Sequence, residues 1–333
     1  MGPVRRGRIQ EAVISWFENN ARDLPWRRTR DPWHVLVSEV MLQQIQVRRA
    51  IPFYERFLAR FPTVESLAAA PLAEAIRVWE DLGRYRRIVY LHDTARIVMG
   101  RYEGRIPSDP NELIKLPGIG PYTAGAVACF AYERDAIFLD TNMRRVLRRY
   151  FFGLQAATPA TDKELMTRAM ELVPPQRGWR WNQALMETGA LVCTSRKPRC
   201  EECPLGEDCC ARTEASAGGW PKPERKAAAH RYEETNRFFR GKVLAELRRV
   251  SHAGSGGIAL RELGRRVGQD FDEKDPSWLF VAVESLCRDG LAKVSDEPTR
   301  AKTPGMVEEE RAPYGGGSEE APSFLLDRVV SLP

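Results

Sequence analysis

The sequence predicts an all-α body followed by a small winged-helix-like α+β domain, and three observations carry that reading. Residues 8–212 place apolar side chains at three- and four-residue spacing between short Pro/Gly turns, with almost no strand-like alternation. Residues 214–234 (EASAGGWPKPERKAAAHRYEE) turn small and polar, as linkers do. Beyond them lie three helical patterns and then two short apolar runs fit for strands. At 333 residues the chain has room for about two domains and a real core.

In chain order, amphipathic periodicity marks RIQEAVISWFENN (8–20), DPWHVLVSEVMLQQIQVRRAIPFYERFLARF (31–61) as one long stretch, VESLAAAPLAEAIRVWEDLG (64–83) and RIVYLHDTARIVMGRY (87–102). LPGIGPYTAG (116–125) holds three glycines and two prolines in a tight turn that runs into a helix near Pro121. After the linker, RFFRGKVLAELRRV (237–250), IALRELGRRVG (258–268) and PSWLFVAVESLCRDG (276–290) read as three short helices. LAKV (291–294) and SFLLDRVV (323–330) read as two strands, with the Gly- and Glu-rich segment 304–321 as a loose wing tip.

No apolar run approaches the roughly 20 residues that cross a bilayer, and MGPVRRGRIQEAV lacks the apolar core of a secretory signal. A soluble, cytoplasmic protein is expected, nucleoid-associated if the source is prokaryotic, with no membrane partner. Net charge of +6 and a pI near 9.0 have the sign of a nucleic-acid binder. Arg supplies 42 of the 51 basic residues, and no Lys precedes Lys115. Few amines are therefore at hand for covalent chemistry.

Chemistry-bearing residues fall into three groups. VCTSRKPRCEECPLGEDCC places Cys193, Cys200, Cys203 and Cys209 in a Cys-x6-Cys-x2-Cys-x5-Cys pattern, which wraps one short loop around an inorganic core. In a cytosolic chain a metal is a better reading than disulfides, and zinc and a 4Fe-4S cluster both take four thiolates. Cys210 could substitute in register, while Cys129 and Cys287 stand alone in apolar segments as core residues. In the hairpin, Gly118 and Gly120 let the backbone turn and expose N–H groups at a helix start, where an anion is favoured; an ordinary helix cap is the plainer alternative. Two carboxylates complete the set. Glu39, with Leu36 and Leu42 three residues to either side, shares an apolar helix face, which would raise its pKa unless it sits at the solvent edge. Asp140 in IFLDTNMRRVL precedes a helix, where Asp is also a routine N-cap.

These motifs together resemble the helix-hairpin-helix DNA glycosylases of the endonuclease III superfamily over residues 8–212. LPWR, SEVMLQQIQV, IPFYERF, FPTVESLA, GPYTAGA, WNQALMETGALVC and SRKPRCEECPL are most similar to the MutY adenine glycosylases. The resemblance implies a 4Fe-4S cluster on the four cysteines and base excision repair by hydrolysis of the N-glycosidic bond of adenine opposite guanine or 8-oxoguanine. It implies a monomer acting on mismatched or damaged double-stranded DNA. It divides the helical part into a discontinuous cluster domain, 1–27 with 135–212, and a six-helix domain, 28–134, followed by a linker, 213–234, and the winged-helix-like domain, 235–333.

By the same resemblance Glu39 is the general acid and Asp140 the carboxylate that stabilises or traps the sugar cation. Asn142 supports Asp140, Arg27 lies near the base pocket, Gly118 and Gly120 clamp phosphate, and Gln43 and Gln44 fill the space left by a flipped nucleotide. Strand-cutting relatives carry Lys two residues after the last hairpin glycine. Here Tyr122 stands there, either facing the site or merely packing beside it, and a monofunctional enzyme is expected. Two departures mark this chain. In LGRYRRIVYLH the usual Tyr pair of MutY proteins is replaced by Arg84 followed by Tyr85, and the C-terminal 99 residues read as a winged helix where MutY proteins end in a Nudix-like domain. Thymine or uracil removal at G mismatches is an alternative compatible with the same motifs, as is a non-catalytic DNA-binding redox module, against which the presence of both Glu39 and Asp140 argues.

Overall fold

Apolar periodicity breaks into separate helices wherever Pro, Gly or a run of amides interrupts it. The computed structural model describes residues 2–154, 161–220, 235–268, 271–273, 275–298 and 323–333. Its helical elements are α1 (Pro3–Asn20), α2 (Pro32–Leu42), α3 (Val47–Arg60), α4 (Val64–Ala69), α5 (Leu72–Trp79), α6 (Arg86–Arg101), α7 (Pro110–Leu113), α8 (Pro121–Tyr132), α9 (Thr141–Phe152), α10 (Asp162–Met170), α11 (Gly178–Leu191) and α12 (Cys210–Gly218). C-terminal to these come α13 (Asn236–His252), β1 (Ile258–Ala259), α14 (Leu260–Val267), α15 (Ser277–Arg288), β2 (Lys293–Pro298) and β3 (Arg328–Ser331). By contacts the chain forms two compact units, one of Met1–Glu65 with Thr94–Lys226 and one of Ser66–Asp93 with Ala227–Pro333. No helix among the described residues is long and apolar enough to cross a membrane.

In the first unit, α8 is buried on nearly every side, from Thr123 through Ala131, and packs on α2; α11 packs on α1 and α9. The sequence reading of 31–61 as one amphipathic stretch is corrected here. α2 stops at Leu42 and α3 starts at Val47, with Gln44 in the left-handed region at φ 58°. Apolar spacing resumes in α3 and Ile45 stands within the break itself, so periodicity alone does not reveal it, although residues 43–46 (QQIQ) are mostly amides. Similarly, Pro71 separates α4 from α5. The segment read as linker begins as helix, since α12 runs to Gly218, and residues 221–234 lie outside the described residues.

The second unit joins α5 to α13, and its sheet has the order β1-β3-β2, antiparallel throughout, with Val330 opposite both Ile258 and Val294. Leu244, Leu247, Leu263, Leu279, Leu286 and Val330 form its core. Helix–strand–helix–helix–strand–strand connectivity is that of a winged helix. Sequence reading missed β1, only two residues long, and the SFLLDRVV run splits into a 3-10 turn at Ser323–Asp327 followed by β3. The expected wing tip, 304–321, lies outside the described residues.

Candidate functional site

A cleft of about 480 Å³ in the first unit is lined by Glu39, Gln43, Gln44, Tyr122, Asp140 and Asn142, together with Arg27, Gln183 and Glu187. That volume lies within the range of pockets that take a small ligand or a base. Five separate pieces of sequence meet here: residues 22–27 ahead of α2, the end of α2 with the turn after it, the start of α8, the start of α9, and α11.

Glu39 is 4% exposed on a helix buried on all faces, so the solvent-edge alternative is excluded. Burial pushes its carboxyl up to about 7; a hydrogen bond donated by Tyr122 opposes the rise, and the Asp140 charge adds to it. Tyr122 thus does two things: its hydroxyl meets Glu39, and its ring packs edge-on against Phe138 at 5.5 Å. Asp140 is the N-cap of α9 and also faces the cleft. Met143 N–H donates to Oδ1 at 2.6 Å and Asn142 Nδ2 donates to Oδ2 at 3.1 Å, which fixes both carboxylate oxygens. Asn142 can sit there because Gly189 of α11 lies against it; a Cβ at that glycine would stand 2.7 Å from Asn142 Cβ.

From Asn142 a chain of hydrogen bonds leads away from the cleft. Arg145 donates to Asn142 Oδ1 at 2.9 Å and to the Cys193 carbonyl at 2.8 Å, and Arg149 donates to Cys193 Sγ at 3.3 Å. Neither arginine was singled out from sequence.

Glu187 is a second fully buried carboxylate, and its surroundings are opposite in kind. Burial alone would raise its pKa, but hydrogen bonds from Arg22 and Arg27 hold it at about 2. Arg27 also donates to Gln183 Oε1 at 2.8 Å and to the Arg22 carbonyl at 2.9 Å. Its guanidinium is therefore built into the cleft wall. Glu187 lay in the quoted WNQALMETGALVC but was not identified as a site residue; one helical turn after Gln183, it shares a face with it.

At the hairpin, Gly118 is left-handed at φ 72° and Gly120 is the N-cap of α8, with no side chain of its own to satisfy the first N–H groups. Buried Leu116 and Ile119 anchor the turn, and the Thr94 hydroxyl donates to the Pro117 carbonyl at 3.1 Å. Lys115 is paired with Glu112, and no lysine lines the cleft among the described residues. Arg84 and Tyr85 belong to the second unit: Arg84 is exposed at φ 50°, and the Tyr85 ring lies 5.4 Å from the Arg248 guanidinium carbon.

Cys193, Cys200, Cys203 and Cys209 line one pocket with Val146, Val192, Leu205 and Arg149. Burial pushes the Cys203 thiol up to about 12, with Cys193, Cys209 and Cys200 adding to the rise, so the four face one another. Cys210 is exposed and outside this set, Cys129 is core, and Cys287 is partly exposed on α15. Among the described residues no three His, Cys, Asp or Glu side chains close on a single ion. Four thiols spread around an apolar pocket, one already accepting an Arg N–H, suit a cluster whose thiolate charge needs such donors.

The family model of the HhH-GPD superfamily base excision DNA repair protein matches residues 37–175, and that of the iron-sulfur binding domain of endonuclease III matches residues 193–209. The adenine DNA glycosylase of Mycolicibacterium smegmatis (strain ATCC 700084 / mc(2)155) is 43% identical over 237 residues, 71% of this chain and 79% of the relative. That of Mycobacterium tuberculosis (strain CDC 1551 / Oshkosh) is 39% identical over 281 residues, 84% of this chain and 88% of the relative, a span that necessarily reaches past residue 235 into the C-terminal domain. Among solved structures, a thermostable thymine-DNA glycosylase superposes with a TM-score of 0.59 at 31% identity, covering 63% of this chain and 98% of its own. A non-covalent endonuclease III–DNA complex, at a TM-score of 0.54 and 22% identity over 64% of this chain and 98% of its own, shares the fold. With the cysteine loop assigned to a 4Fe-4S cluster, the chain belongs to the adenine DNA glycosylase family of the HhH-GPD base excision repair superfamily.

Proposed function

We propose that this chain is a monofunctional glycosylase that removes adenine mispaired with guanine or 8-oxoguanine, working as a cytoplasmic monomer on duplex DNA. The observation that carries this reading is the pairing of unlike carboxyls in one cleft: Glu39, held protonated near neutral pH by burial, beside Asp140, fixed by the α9 N-terminus. A purine leaves its sugar easily only once a ring nitrogen is protonated. With the nucleotide flipped out of the stack, Glu39 gives its proton to the departing base. As the C–N bond breaks, the electron pair leaves with adenine and the sugar becomes an oxocarbenium ion. Asp140 stabilises that cation or bonds to it transiently, and water then supplies the hydroxyl that completes hydrolysis while the proton it gives up restores the acid form of Glu39. Gly118 and Gly120 offer backbone N–H groups to a phosphate, and Gln43 and Gln44, at the broken end of α2, fill the gap in the duplex. A bound 4Fe-4S cluster supplies a covalent cross-link across residues 193–209, and through Arg145 and Asn142 that loop is tied to Asp140.

The second reading, thymine or uracil removal, is favoured by the 31% identical thymine-DNA glycosylase structure. Duplexes carrying A, T or U opposite G and 8-oxoguanine decide between them, with the free base identified after incubation. Adenine release alone supports the proposal; thymine or uracil release without adenine overturns it.

Two further outcomes are expected. Because Tyr122 offers no amine and no lysine among the described residues lines the cleft, the abasic product should stay uncut until alkali is added, and borohydride should trap no protein–DNA adduct. Tyr122→Lys should gain some trapping, since the side chain faces the cleft; efficient trapping by the unaltered protein would show another amine at work. The purified protein should be brown, and Cys200→Ser should lose colour and solubility together; a colourless protein with stoichiometric zinc would contradict the cluster.

A further inference from the structure

Within the second unit, the turn between α5 and α6 is held in an unusual conformation. Glu80, Gly83 and Arg84 are all left-handed, at φ 48°, 81° and 50°. Non-glycine residues persist there only where their surroundings impose it. Part of the imposition is local, since Trp79 Nε1 donates to the Gly83 carbonyl at 3.0 Å and Arg87 to the Gly83 and Arg84 carbonyls at 3.4 Å. The rest comes from the C-terminal domain. Arg248 of α13, 9% exposed, ion-pairs with Asp81 at one end of the turn and lies over the Tyr85 ring at the other. Beside them Arg77 donates to the Ser251 hydroxyl at 2.8 Å.

Between those pinned ends Arg84 is exposed and makes no ion pair among the described residues. Burial, with the Arg84 charge beside it, pushes the Arg87 guanidinium down to about 10. The C-terminal domain spends its own cations differently: Arg261 and Arg265 both pair with Glu273, Arg266 with Glu246, and Arg240 with Asp289.

We infer that the C-terminal domain braces this turn, with Arg248 as the positioning residue that fixes Asp81 and Tyr85 so that the Arg84 guanidinium is presented to DNA. The inference rests on the glycosylase reading above. It assigns the domain a part in substrate engagement without giving it a binding site.

A double-mutant cycle on the full-length protein tests it, using a duplex with 8-oxoguanine opposite a non-cleavable adenine analogue and fluorescence anisotropy for Kd. Arg84→Ala and Arg248→Ala should each weaken binding by about tenfold, and the double variant by no more than the weaker single, because one acts through the other. Asp81→Ala, at a side chain 79% exposed, gives the same non-additivity without disturbing a buried residue. Fully additive losses, or Arg84→Ala binding as tightly as the unaltered protein, overturn the inference. Adenine release by the unaltered protein is scored in parallel; its absence would sink the glycosylase reading, whereas its presence with unaffected Kd values sinks the brace alone.

Discussion

Asp140→Asn should bind mismatched duplex with affinity close to that of the unaltered protein yet release adenine slower by about 10²–10³-fold, the scale of losing one preorganised charge at a transition state. The substitution is close to isosteric. Its amide oxygen can still accept from Met143 N–H and cap α9, while the Asn142 Nδ2 donation to Oδ2 is lost where an amide nitrogen takes that place. The expected stability cost is about 1 kcal/mol or less. Single-turnover base release and thermal unfolding measured on the same preparation separate the two effects. A variant that unfolds cooperatively near the unaltered protein's midpoint but keeps its rate would remove Asp140 from the chemistry and leave it a cap.

Glu39→Gln should be equally damaging, by about 10²–10⁴-fold on adenine, because an amide has no proton to give. Its effect on the fold has the opposite sign. The Glu39 carboxyl titrates near 7 in the folded protein, above the range of an exposed glutamate, so the native state holds a proton that the unfolded chain releases between those values. Stability contributed by this group is therefore lost as pH rises toward 7, and an uncharged Gln should leave the protein as stable or more stable at alkaline pH. A dead but thermally robust Glu39→Gln variant is the expected combination; a dead and unfolded one would point to a packing role.

How much of this was legible before the structure depends on the distance over which each feature acts. Glu39, Tyr122, Asp140 and the four cysteines stand out in local patterns, an acid on an apolar helix face, a turn of glycines, an Asp before a helix and a fixed thiol spacing, but those patterns also fit a solvent-edge acid, a packing aromatic, a routine N-cap and zinc, and the family resemblance is what suggested roles for them. The break after Leu42 is local as well, but apolar spacing resumes beyond it, and only the left-handed Gln44 reveals that α2 ends at the cleft. Glu187 was missed for another reason. Its partners Arg22 and Arg27 stand about 160 residues earlier, and without that contact a Glu in a helix reads as surface. Arg145 and Arg248 are of the same kind: each looks like one more cation in an arginine-rich chain until the fold sets it against Cys193 or Asp81.

The protonation state of Glu39 is the point on which the account turns, and the pH dependence of single-turnover adenine release from an A·8-oxoguanine duplex, followed from about pH 5.5 to 9, tests it most directly. Glu39 neutral below about 7 and ionised above it predicts a rate that is level on the acid side and falls through that value by about tenfold per unit as the proton is lost, with the slope absent in Glu39→Gln. A rate that stays level across the whole range, or a Glu39→Gln variant that keeps the unaltered protein's rate and profile, would contradict it.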